Sequence, residues 1–168
     1  MLYRNLALLL CLVGLSFPVS ADNKEKILIH ADSMKLDVNT GSSVYRGNVS
    51  FTQGNIEIFG DIVTVNSKNG SIKEVKIKGN PARYSDTSQN NHILAESTNM
   101  DYSVDDNKLN MQGKARLEQG DRVVQSENIL YDTKKQIILA GQSSSGTKDP
   151  GQRVNIILTP KKTGPTEP

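Results

Sequence analysis

Gly47-Asn48-Val49-Ser50-Phe51-Thr52-Gln53-Gly54 returns, 66 residues later, as Gly113-Lys114-Ala115-Arg116-Leu117-Glu118-Gln119-Gly120. In both stretches apolar residues occupy alternate positions between the glycines: Val49 and Phe51, then Ala115 and Leu117. A period of two puts successive side chains on opposite faces of an extended chain, so each stretch reads as a strand with one dry and one wet face.

Working outward, the same pattern organises most of the chain. A small residue and an acid open each of four units: Ala31-Asp32, Gly60-Asp61, Ala95-Glu96 and Ser126-Glu127, the acids spaced 29, 35 and 31 residues apart. Apolar residues follow at even offsets, as in Met34 and Leu36, Val63 and Val65, Met100 and Tyr102, Ile129 and Tyr131. Each unit ends on a glycine, Gly47, Gly79, Gly113 or Gly141, spaced 32, 34 and 28 residues apart. Repetition at this period marks a stacked or rolled architecture. Turn-forming runs such as Asn39-Thr40-Gly41-Ser42, Asn66-Ser67-Lys68-Asn69-Gly70, Asp105-Asp106-Asn107-Lys108 and Asp132-Thr133-Lys134-Lys135 separate the strand patterns, so each unit is about one hairpin. The four unit-ending glycines are expected to bulge or bend strands that otherwise keep their phase, rolling the sheet around its apolar face. No segment after the first 21 residues carries a helical period. The fold class is all-β, an antiparallel sheet with one core.

The start of the chain sets the expected compartment. Arg4 precedes an apolar run from Leu6 to Phe17, Pro18 breaks it, and Val19-Ser20-Ala21 offers small residues for cleavage. This reads as a secretory signal peptide over residues 1–21, too short to span a bilayer comfortably. Cys11 lies inside the run and follows Leu10, which does not fit a lipoprotein signal. Residues 22–158 are expected to form the domain, and 159–168, with two lysines and three prolines, a flexible tail. The 147 residues after the leader contain no cysteine, so the core must hold the fold without disulfides. They carry 19 basic and 18 acidic residues, a balance that gives no argument for nucleic acid.

Catalytic and metal motifs are weak. Asp37-Val38-Asn39-Thr40-Gly41 resembles a calcium loop but lacks its closing bidentate acid, so it reads as a turn. His30 and His92 stand outside any ligand cluster, and Ser143-Ser144-Ser145 has no base nearby in sequence. The recurrent acids Asp32, Asp61, Glu96 and Glu127 point to a structural role repeated once per layer. No enzyme activity, cofactor or metal is expected. Two other classes stay open on the residues alone: an adhesive β-repeat protein that binds no lipid, and an enzyme acting on polysaccharide.

Taken together, Ile27-Leu28-Ile29-His30-Ala31-Asp32-Ser33, Tyr45-Arg46-Gly47-Asn48-Val49-Ser50-Phe51-Thr52-Gln53-Gly54, Gly79-Asn80-Pro81-Ala82-Arg83-Tyr84 and Ala95-Glu96-Ser97 with Met100-Asp101-Tyr102 resemble the LptA/OstA-like family of the lipopolysaccharide-export bridge. The resemblance runs from about Ile27 to Leu158. The leader and single domain favour its free-standing branch over membrane-anchored or barrel-bearing ones. It implies a rolled antiparallel β-jellyroll open at both ends, in the periplasm, with lipopolysaccharide acyl chains along the apolar groove. It implies head-to-tail self-association and sheet-edge contacts with an inner-membrane LptC-like and an outer-membrane LptD-like partner. Matched by position to the family, Ile27, Tyr84, Tyr102 and Val104 are expected along the lipid path, Tyr84 falling out of phase after Pro81. The expected edges are the first strand, Lys26 to His30, and the last, Arg153 to Leu158.

Overall fold

The structure is a computed structural model that describes residues 26–88, 92–141 and 153–159. The expected leader, the serine-rich loop and all of the expected tail but Thr159 lie outside those residues. Ten strands are described, all antiparallel in one sheet: β1 (Ile27–His30), β2 (Ser33–Asp37), β3 (Ser42–Gln53), β4 (Ile56–Lys68), β5 (Ser71–Asp86), β6 (Ile93–Ser103), β7 (Lys108–Gln119), β8 (Arg122–Asp132), β9 (Ile137–Ala140) and β10 (Asn155–Leu158). The long strands β3 to β8 pair in sequence order, as a meander of tight turns dictates. At each end two short strands share one long neighbour. The second half of β3 takes β1 and its first half takes β2, while the first half of β8 takes β10 and its second half takes β9. The sheet therefore has two ends and does not close on itself.

Every pair of long strands shifts register near its middle, at Arg46/Val49, Phe59/Ile62, Lys78/Ala82, Glu96/Asn99 and Gln112/Ala115. The shifts form a line of bulges across the sheet, and bulges bend strands. Tyr84 and Tyr102 show how far the bend goes. Tyr102 pairs across the sheet with Val75, nine residues before Tyr84 on β5. On a straight strand that separation is roughly 30 Å. The two rings have centroids 6.2 Å apart. The sheet is thus folded over along the bulge line into two facing leaves. The first leaf carries β1 and β10, and the second carries β2 and β9.

The bulges correct one detail of the expected periodicity. Gly47 and Gly113 do lie inside strands that keep their phase, Tyr45 to Val49 and Met111 to Ala115. In β4, β5, β6 and β8 the inward positions change parity across the bulge, for example from Ile77 to Ala82 and from Ser126 to Ile129. Gly141 lies just beyond β9. The reason is that an extra residue in one strand must be matched by a phase change there or in its neighbour if both halves are to stay apolar inward.

Gly47 and Gly113 have φ of 79° and 80°, and each is followed by a second left-handed residue, Asn48 or Lys114. A side chain at Gly113 would meet Thr98 Oγ1 at 2.9 Å. The recurrent acids hold this geometry. Asp32 accepts the Asn48 amide at 3.1 Å, and the Asp32 N–H donates to the Gly47 carbonyl at 3.0 Å. Glu127 accepts the Lys114 N–H at 3.5 Å, and Glu96 instead pairs with Arg83 on the wet face at 3.0 Å. The calcium-like loop is a turn in which Asp37 Oδ1 accepts the N–H groups of Asn39 and Thr40.

The core fills the space between the leaves. Val63, Ile77, Leu109, Met111, Leu117 and Ile129 have no exposed surface. Such side chains contribute about 2–5 kcal/mol each against truncation to alanine, which is how a cysteine-free domain of this size holds together.

Candidate functional site

The apolar interior is not filled to its limits. A cavity of about 450 Å³ opens between the leaves, on the side away from the bulge line. From the first leaf Ile27, Phe51, Gln53, Ile56 and Ile58 line it; from the second leaf and its turns come Gly70, Ser71, Ile72, Val75, Tyr102 and Val104. Ile27, Tyr102 and Val104, three of the four residues expected along the lipid path, meet in this one cavity although they are far apart in sequence. Tyr84, the fourth, is 2% exposed and sits behind Tyr102 instead of in the wall. The bulge at Lys78/Ala82 restores its inward phase, which a strict period of two from Ile77 denies it. Phe51, Ile58 and Val75 all obey the inward alternation, but alternation alone does not tell cavity wall from packed core.

The lip of the first leaf is one row of inward positions in register across the sheet. Ile27 pairs with Gln53, Gln53 with Ile56, Ile56 with Asp86, Asp86 with Ile93, and Ile93 with Gln119. Arg122 and Leu158 complete it. Eight strands at about 4.8 Å spacing make this row roughly 34 Å long.

The dry surface also reaches both ends of the sheet. Met34 and Leu36 pair with inward positions of β3 yet are 58% and 54% exposed. Ile156 and Leu158 lie on the inward side of β10 and are 62% and 64% exposed. Inward apolar side chains left in water at both ends suit a groove that continues beyond one molecule. A second hollow of about 570 Å³ lies along the bulge line, lined among others by Glu96, Lys114, Arg116, Glu127 and Arg153. Its charges make it unfit for hydrocarbon. Among the described residues no three His, Cys, Asp or Glu side chains gather as metal ligands.

Burial, and then the nearby Asp86 carboxylate, pushes the Tyr84 phenol far above its usual range. Burial and Asp86 also raise Tyr131, on the facing leaf. The unfolded chain then ionises these phenols more readily than the folded one, so the stability they contribute is intact below pH about 10 and falls as pH rises above it. Tyr84→Phe is expected to flatten that alkaline loss. Urea midpoints at pH 8 and pH 11 check it: the drop between them should be smaller in the variant than in the wild type.

Comparison with known proteins agrees with this geometry. A family model described as the LptA/(LptD N-terminal domain) LPS transport protein matches residues 28–137. The chain is 32% identical over 153 residues to the lipopolysaccharide export system protein LptH of Pseudomonas aeruginosa, covering 89% of this chain and 87% of that protein. It is 29% identical over 164 residues to the lipopolysaccharide export system protein LptA of Escherichia coli strain K12, covering 94% and 85%. The crystal structure of the Pseudomonas aeruginosa LptH superposes with a TM-score of 0.72 at 30% identity, covering 81% of this chain and 96% of that one. A rolled antiparallel sheet with this repeat, matched along most of its length in sequence and shape, places the chain in the LptA/LptD N-terminal domain family of lipopolysaccharide-transport proteins.

Proposed function

We propose that this protein is a periplasmic carrier that shields lipopolysaccharide acyl chains between the inner and outer membranes, without catalysing a reaction. The observation that carries the reading is the apolar cavity between the leaves, with apolar surface continuing to both open ends. Moving a twelve-carbon chain from water into such a surface is worth on the order of 10 kcal/mol, so a lipid crossing an aqueous space needs such a path. In this reading residues 1–21 direct export, and Ile27, Tyr102 and Val104 touch lipid while Tyr84 supports Tyr102 from behind.

Copies join head to tail in the same reading, and strand direction supports it. Each leaf has eight strands, so a copy added at either end continues the antiparallel alternation in both leaves at once, β10 beside the next β1 and β9 beside the next β2. Such a contact is heterologous and does not close. LptC-like and LptD-like partners of similar fold would use the same two ends. A photocrosslinking residue in place of Tyr102, activated in cells, is expected to yield a lipopolysaccharide adduct. The same probe at the outward Asp101 should not, and equal labelling at both positions would sink the reading.

A further inference from the structure

The lip of the first leaf carries more than hydrocarbon. Gln53, Asp86 and Gln119 come from every second strand of its row and so stand roughly 10 Å apart. Gln53 and Gln119 hold equivalent places in the repeat, each ending a strand just before a glycine of positive φ, Gly54 or Gly120. Polar residues at strand ends ordinarily face water, but Gln119 is 8% exposed. Gln53 is half-buried and forms part of the cavity wall, and the half-buried Asp86 is paired across the sheet with the wall residue Ile56. The Asp86 carboxylate shares the inward face with Tyr84 and lies close enough to Tyr131 on the other leaf to raise its phenol. Its Oδ1 also accepts the Ser88 N–H at 2.8 Å.

A chain seated in the cavity leaves it through this lip, where hydrocarbon gives way to the first polar group of the ligand. A carboxylate accepts hydrogen bonds and donates none, whereas a glutamine amide does both. An ester at that height offers only acceptors, so it adds no donor to the Asp86 carboxylate beyond the Ser88 N–H it already accepts. An amide offers an N–H to the carboxylate and a carbonyl to the glutamines.

We infer that Gln53, Asp86 and Gln119 form a polar rail that recognises the linkage between acyl chain and head group, and that it selects amide-linked over ester-linked acyl amphiphiles. This rests on the acyl-chain reading of the cavity. Leu158 ends the row and Ile27 begins it, so copies joined end to end would repeat the rail at each molecule.

The test uses two uncharged amphiphiles that differ by one N–H: N-dodecanoylethanolamine and 2-hydroxyethyl dodecanoate. Each is titrated calorimetrically into the full chain below its micelle concentration. The wild type is expected to bind the amide about tenfold more tightly, the scale of one hydrogen bond to a charged group. Asp86→Leu should bring the two affinities together by weakening the amide, and Asp86→Asn should narrow the gap if the leucine variant does not fold. Gln53→Leu combined with Gln119→Leu should weaken both ligands, and the exposed, outward Glu57→Gln should change neither. Equal wild-type affinities, or a preference that survives at Asp86→Leu, would overturn the rail and leave the cavity reading standing. Failure of both amphiphiles to bind would overturn the cavity reading and the rail with it.

Discussion

Tyr102→Asp is expected to lower affinity for lipopolysaccharide by a hundredfold or more, while Asp101→Asn, one residue away, leaves it unchanged. The two side chains point to opposite faces of β6. Tyr102 lines the cavity and packs against Tyr84, with ring centroids 6.2 Å apart. A carboxylate there must be stripped of water by the incoming hydrocarbon, and burying an unpaired polar group costs about 2–7 kcal/mol. Even 3 kcal/mol is roughly a hundredfold in a dissociation constant. Asp101 lies on the wet face, 3.8 Å from Lys76, where burial and the neighbouring Glu74 carboxylate raise its pKa. Its neutral amide therefore disturbs little. Val104→Asp should behave like Tyr102→Asp with a smaller effect on the fold, since Val104 lies beyond the end of β6. Displacement of a fluorescent lipid probe measures all three, with circular dichroism to show that each variant is folded. Equal binding by the three folded proteins would contradict the assignment of this cavity.

The second large effect is expected at the other end of the sheet. Ile156→Pro should abolish or strongly weaken self-association and leave the monomer intact. Thr159 donates its N–H to the Asp121 carbonyl at 3.1 Å, so N–H groups at alternate positions back along β10 also face β8. That assigns the N–H of Ile157 to β8 and the N–H of Ile156 to the open edge. Proline at 156 removes an outward donor and fixes the edge backbone, without taking a hydrogen bond from the β8 pairing. Ile157→Pro should instead detach β10 from its own sheet. Light scattering coupled to size-exclusion chromatography, across a concentration series, separates the outcomes. A wild type that stays monomeric at every concentration and binds no partner of like fold would rule out growth through this edge.

Much of the architecture is legible in the residues themselves. Val49 and Phe51, or Leu109 and Met111, alternate so regularly that strand identity and the inward face follow from them directly. The recurring acids were expected to be structural, and Asp32 and Glu127 hold the bulges at Gly47 and Gly113. The resemblance to the LptA/OstA-like family, carried by order and spacing along nearly the whole chain, agrees with the family match over residues 28–137. The cavity was less legible. Ile27, Tyr102 and Val104 were matched to the family's lipid path, but their neighbours Phe51, Ile56, Ile58, Ile72 and Val75 have the same inward signature as the sealed core.

By itself, then, the sequence determined the strands, the dry face within each half-strand and the family, because these depend on local periodicity and on the order of the motifs along the chain. Only the tertiary structure decided which parts of that dry face touch. Folding the sheet along its bulge line brings Tyr84 from one leaf against Tyr102 of the other and packs Val63, Ile77 and Leu117 shut. It also leaves Ile27, Ile72 and Val104 around open space. A period of two fixes the face a side chain occupies; how far the facing leaf stands from it depends on the bend summed over every strand, which no local pattern encodes.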